Sequence, residues 1–145
     1  MISAAIFVCI VFLLIYGNPI VLKNKNDFGR AVKNIDSEMI TLNEITPFEW
    51  DIVYSFAPYT PKQEIENIIG FKSNYIKETL SEGMLQLIFV KENKMVCNIW
   101  GYNSDLGYDI SFWTATEIYG QIRYEDEASF SVVREDNIIL LVRNE

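Results

Sequence analysis

Residues 1–22, MISAAIFVCIVFLLIYGNPIVL, hold no charged side chain, and every Lys, Arg, Asp and Glu of the chain lies beyond them. No other feature restricts the fold as much. Such a run is stable only where its apolar surface leaves water and its backbone groups are paired internally. At about 1.5 Å of rise per residue, some 20 apolar residues match a hydrocarbon core of roughly 30 Å. Three readings compete: a membrane-spanning helix, the apolar part of a signal peptide, and a buried core helix. A signal peptide carries a basic n-region and a small-x-small cleavage site. Here Met1 is followed directly by Ile2, and the run closes on Tyr16-Gly17-Asn18-Pro19. Cys9 sits mid-run behind Ile6-Phe7-Val8, so the run lacks a lipobox, and a core helix would show a polar stripe where only Ser3 breaks the face. The sequence therefore predicts a transmembrane anchor over 1–22, a basic juxtamembrane segment and amphipathic helix over 23–45, and a domain over 46–145, hence a single-pass protein of a cell membrane.

The flank after the run carries Lys23, Lys25, Arg30 and Lys33 against Asp27 alone, and the positive-inside rule then puts the domain in the cytoplasm. From residue 34 onward eight basic side chains face nineteen acidic ones, a net −11. So acidic a domain is repelled by phosphate backbones, which argues against nucleic-acid binding. The basic flank could touch anionic headgroups, although a topology signal explains it as well. With Cys9 inside the apolar run, Cys97 is left unpaired and no disulfide framework exists.

Along the chain, Phe28, Val32, Ile35, Met39 and Leu42 recur at helical spacing and predict an amphipathic helix over 27–43, with Gly17 and Pro19 as a break before it. In the stretch FEWDIVYSFAPYTP, residues 48–61, the even positions Phe48, Trp50, Ile52, Tyr54 and Phe56 share one face of a half-buried strand, leaving Glu49 and Asp51 on the other. Thr60, Pro61 and Gln63 read as the cap, first turn and capping-box partner of a short helix over 61–69 that stops at Gly70. Residues 84–90 and 95–100 flank a turn and form a hairpin central to a sheet; 108–113 is a further strand; 129–134 and 138–143 form a closing hairpin. Residues 114–127 fit either a short helix or an outer strand. Helices followed by hairpin-linked strands point to an α+β fold on one antiparallel sheet of about five to six strands.

The chemistry is marked by what is missing. The chain has no histidine, which removes Ser-His-Asp and Cys-His arrangements, His-ligated zinc and the usual general base near neutral pH. Cys97 alternates with Met95 and Ile99 in a strand and reads as a small core residue. Glu49 and Asp51 share a face and could pair as glycosidase carboxylates do, although solvated surface acids explain them as well. Asn103, Asp105 and Asp109 around Gly107 suggest an oxygen-rich calcium loop, but their spacing fails the EF-hand pattern, and a polar turn suffices. Neither standard Gly-rich phosphate loop occurs. No cofactor, metal or small-molecule substrate is expected.

Three Trp, eight Tyr and nine Phe leave aromatics to spare for a binding surface, with Tyr59, Tyr102 and Tyr108 near bends. The run Trp50 to Thr60, a WD-x-VY-x-F-x-PYT pattern, followed by a Glu/Ile-rich helix ending in Gly70, resembles a motif in small, functionally uncharacterised bacterial proteins, many of them lipoproteins or otherwise membrane-tethered. The resemblance covers about 46–70, transfers no catalytic residue, and implies a domain outside the cytoplasm, against the Lys/Arg count. The reading as a whole is a non-enzymatic, membrane-anchored α+β domain acting through protein contacts at the cell envelope, with Glu49, Asp51, Tyr59, Tyr102 and Tyr108 as candidate binding surface. Two rivals stand beside it. One is an inhibitor or immunity-like protein whose acidic face meets a basic partner. The other is an enzyme in which Glu49, Asp51 or the Glu125 to Glu127 cluster converge in a cleft.

Overall fold

Gly17 and Pro19 divide the apolar run. The computed structural model describes residues 3–145, apart from the side chains at 14–16. Helix α1 covers Ala4–Tyr16 and α2 covers Pro19–Lys33. Between them Gly17 takes a φ of 82°, a conformation open to a residue without Cβ. The Asn18 side chain then accepts the Ile20 N–H at 3.0 Å, and Pro19 sits in the first turn, where it has no N–H to lose. The 13 residues of α1 rise about 20 Å against the roughly 30 Å of a hydrocarbon core. Among the described residues no helix is long and apolar enough to cross a membrane. This overturns the single-pass anchor expected over 1–22, and the location in a cell membrane that rested on it; residues 1 and 2 of that run lie outside the described residues.

Helix α2 turns amphipathic at once, burying Val21, Asn24, Phe28 and Val32 at spacings of three and four residues. It ends at Lys33, so the helix predicted over 27–43 is displaced toward the N-terminus. The reason is a competing start signal. Met39–Thr41 is extended as β1, and Leu42–Ile45 forms a new helical turn, α3, opened by a capping box. The Thr41 hydroxyl accepts the Glu44 N–H at 3.2 Å, and the Glu44 carboxylate accepts the Thr41 N–H at 2.8 Å. Thr41 must be extended to do this, and Met39, a member of the predicted stripe, ends up 60 % exposed.

The remaining elements are β2 (Ile52–Phe56), α4 (Lys62–Ile69), β3 (Met84–Lys91), β4 (Lys94–Tyr102), α5 (Asn103–Leu106), β5 (Tyr108–Ile110), β6 (Tyr119–Arg123), a 3-10 turn (Tyr124–Asp126), β7 (Ser129–Glu135) and β8 (Ile138–Arg143). The fold is α+β, but the strands form two four-stranded sheets, β1-β7-β8-β5 and β4-β3-β2-β6, in place of the single antiparallel sheet expected. One pair, β5 with β8, is parallel.

The second sheet lies in the middle of the molecule. Val53, Leu87, Phe89, Cys97, Ile99 and Ile122 project from one face into a core shared with α2 and the first sheet, where Phe130, Val132 and Leu141 meet them. Tyr54, Phe56, Ile88 and Val90 project from the other face onto Ile65 and Ile69 of α4 and onto Ile76. A strand covered on both sides carries no polar face, which is why β3 is apolar nearly throughout. For the same reason the predicted half-buried strand over 48–56 is corrected: β2 starts at Ile52, is buried on both faces, and Trp50 packs with Phe89 in the first core, away from Tyr54. The expected Thr60 cap also fails, since its hydroxyl donates back to the Ala57 carbonyl at 2.7 Å and Pro61 caps α4 without a side-chain bond. Residues 114–127 resolve into the outer strand β6 and the 3-10 turn that follows it.

Candidate functional site

The end of β6 and the irregular chain before β2 meet at a cleft of about 550 Å³. Asn43 enters from α3, Phe48 to Asp51 from the chain before β2, Lys91 from the end of β3, and Tyr124 and Glu125 from the 3-10 turn. Two main-chain bonds and one from the Asn43 side chain hold the site together. Asp51 N–H donates to the Val90 carbonyl at 2.8 Å, the Asp51 carbonyl accepts the Tyr124 N–H at 2.9 Å, and the Asn43 amide donates to the Tyr124 carbonyl at 2.9 Å. Trp50 forms the inner wall. It is 2 % exposed, with Phe89 edge-on at 5.7 Å and Tyr124 edge-on at 5.3 Å between ring centroids.

Three carboxylates reach this cleft: Glu49, Asp51 and Glu125. Asp51 is committed. It accepts the Glu92 N–H at 2.8 Å and the Lys91 ammonium at 3.1 Å, and those bonds hold its carboxyl below the ordinary value. The same hydrogen bond raises the Lys91 ammonium above its usual value. Glu49 is exposed and bonds to no other described residue, and Glu125 has only Arg123 at 3.9 Å, both side chains well exposed. The cleft thus presents Glu49, which acts on the Lys91 ammonium only through space, and Glu125, with Arg123 at 3.9 Å, beside the closely bonded Asp51–Lys91 pair. Lys91 is the only cation lining it among the described residues.

Sequence reasoning singled out Glu49 and Asp51, and the structure brings them together with Glu125. The other two acids of the 125–127 cluster turn elsewhere: the Asp126 carboxylate accepts the Arg123 N–H at 2.8 Å, and Glu127 closes the turn at a φ of 46°. Tyr59, at a φ of 66° and 59 % exposed, stands outside the cleft, where its N–H donates to the Thr79 hydroxyl at 3.0 Å. Tyr102 covers Gly83 at the end of β4, also outside the cleft. Tyr108 offers almost no surface: it is 1 % exposed and packs edge-on against Phe28 at 5.9 Å. Asn43 and Tyr124 were missed. No local pattern marks them, because only the pairing of β2 with β6 carries Tyr124 back to Asp51.

The Asn103, Asp105 and Asp109 turn is tied internally, with Asn103 donating to the Asp109 carboxylate at 3.1 Å. Among the described residues no group of three His, Cys, Asp or Glu is placed to hold a metal ion. A groove of about 650 Å³ runs beside α4 from Lys62 to Lys72, larger than the cleft, but every buried polar side-chain atom there has a partner. Comparisons with protein-family models, curated proteins and solved structures found no match. The motif resemblance over 46–70 therefore adds no residue role to the geometry.

Proposed function

We propose that this chain is a non-enzymatic binding domain that acts through protein contacts, presenting the cleft to a positively charged partner. The observation that carries this reading is the pair of under-compensated carboxylates, Glu49 and Glu125, on one cleft of a domain with net charge −11 beyond residue 33. Like-signed charge lining a cleft attracts and orients an oppositely charged partner. An acid-base reading is weaker, although the carboxylates do converge. Asp51 is fixed in its ionised form by Lys91 and the Glu92 N–H, and an ionised acid bound to an ammonium has no proton to give.

The test is calorimetric titration with a nona-arginine peptide at low and high salt. Binding at low salt, weakened by salt and by E49Q/E125Q at least about tenfold more than by E64Q/E82Q, is the expected result. Glu64 and Glu82 are exposed and lie outside the cleft, so that control removes equal charge elsewhere. Equal losses in the two double variants would mean a diffuse polyelectrolyte effect and would sink the reading.

A further inference from the structure

Two residues that line the cleft each hold a fully buried polar atom with no partner among the described residues: the indole Nε1–H of Trp50, a donor, and the Oδ1 of Asn43, an acceptor. A buried group left without its hydrogen bond destabilises the fold, because its lost hydration is not repaid. Neither side chain is free to turn away. Trp50 is wedged between Phe89 and Tyr124, and the other end of the Asn43 amide is held on the Tyr124 carbonyl at 2.9 Å. A donor and an acceptor on residues that line one cleft call for a ligand carrying both complements, and main-chain amides supply an acceptor and a donor along a single strand of peptide.

We infer that the cleft receives an extended basic segment of a partner protein, whose main-chain carbonyl accepts from Trp50 Nε1–H and whose main-chain N–H donates to Asn43 Oδ1, while a lysine or arginine side chain meets Glu49 and Glu125. This rests on the cleft being the binding surface and adds the mode of recognition. Access is through Tyr124. Its N–H and carbonyl are pinned to Asp51 and Asn43, while its ring, on a residue 51 % exposed, lies 5.3 Å from that of Trp50, and the inferred contact needs that ring to turn about χ1 as the segment enters. A polyhydroxylated ligand would also satisfy a donor and an acceptor. It would want an open aromatic face, however, and Trp50 is 2 % exposed with aromatic neighbours at both contacts.

The experiment follows the Trp50 indole ¹H–¹⁵N resonance during titration with acetyl-Gly-Arg-Gly-Arg-Gly-amide, methylguanidinium and cellotriose. The peptide is expected to shift it saturably and the other two to leave it in place. W50F, which removes the N–H, is expected to weaken the peptide about fivefold, the worth of one net hydrogen bond, and to leave methylguanidinium unchanged. If W50F fails to fold, the wild-type resonance still decides. A resonance unmoved by the peptide, or moved equally by methylguanidinium, overturns the main-chain contact. When the E49Q/E125Q loss persists alongside such a result, the cationic-partner reading stands and only the recognition mode is wrong. A shift with cellotriose overturns the peptide assignment.

Discussion

Gly120→Ala should destabilise this protein by more than its chemistry suggests, and the reason is positional. Gly120 lies in β6 opposite Ser55 of β2. A Cβ at 120 would sit 2.7 Å from the Phe112 carbonyl carbon and 3.1 Å from its ring Cδ2, with the carbonyl oxygen closer still. Carbon atoms rest at about 3.5–4.0 Å, so either β6 or the irregular chain at Phe112 must retreat by on the order of 1 Å. Neither moves freely. The Phe112 N–H donates to the Ser55 hydroxyl at 3.3 Å, its ring is 8 % exposed, and Ser55 is itself locked between β3 and β6. Overpacking costs about 1–3 kcal/mol and loss of the Ser55 bond about 1 more, giving roughly 2–4 kcal/mol. For a chain of this size that lowers Tm by roughly 5–15 °C.

Gly70→Ala is the matched control. It also adds one methyl group, but nothing lies within 4 Å of its Cβ position, so only the φ of 89° penalises it. That strain is worth about 1–2 kcal/mol. Urea and thermal unfolding followed by circular dichroism would rank the two variants. If Gly120→Ala is no less stable than Gly70→Ala, the close passage of residue 112 over β6 is wrong. The placement of Tyr124 at the cleft would then be in doubt, because β6 leads directly into its turn.

Two further outcomes can be checked. The Asp51 carboxyl is held below its ordinary value by the Glu92 N–H and then by Lys91, so its contribution to stability is fully present above about pH 4 and disappears as pH falls through the lower folded value. The difference in urea midpoint between wild type and Asp51→Asn should accordingly shrink between about pH 4 and pH 2; a gap constant over that range would show the carboxylate unpaired. Cys97 is fully buried and burial pushes its thiol well up, while Cys9 is exposed. A thiol reagent should therefore label one cysteine in the folded protein and both in denaturant. Rapid labelling of Cys97 under native conditions would mean that the core between the two sheets opens readily.

Hairpins were legible in the sequence because their physics is local. The turns after Lys91 and Glu135 join strands of plain β character, and both hairpins form where expected, although β4 takes the edge of its sheet and only β3 the central place read for the pair. The helix at 27–43 shows why periodicity alone misleads: Phe28, Val32 and Ile35 do pack in the core, but Thr41 and Glu44 nucleate a separate turn that the stripe of apolar residues conceals. Residues 1–22 show the limit of composition. The run is apolar enough for a bilayer, yet one glycine at positive φ followed by an Asn-Pro cap converts it into two helices, the second of which buries Val21, Phe28 and Val32 while Ile20 and Leu22 stay exposed.

The cleft was half legible for a related reason. Glu49 and Asp51 drew notice because acids two apart on an extended segment share a face. What makes the place unusual is the neutralisation of one of them and the company of the other. Lys91 reaches Asp51 only because β2 pairs with β3, and Tyr124 and Glu125 arrive only because β2 pairs with β6. The two pairings bring together in one cleft the loosely paired Glu49 and Glu125 and a Trp50 whose buried indole N–H has no partner among the described residues. That N–H is the group the inferred recognition would engage, and the response of its one resonance to a basic peptide distinguishes a packed elbow from a recognition site.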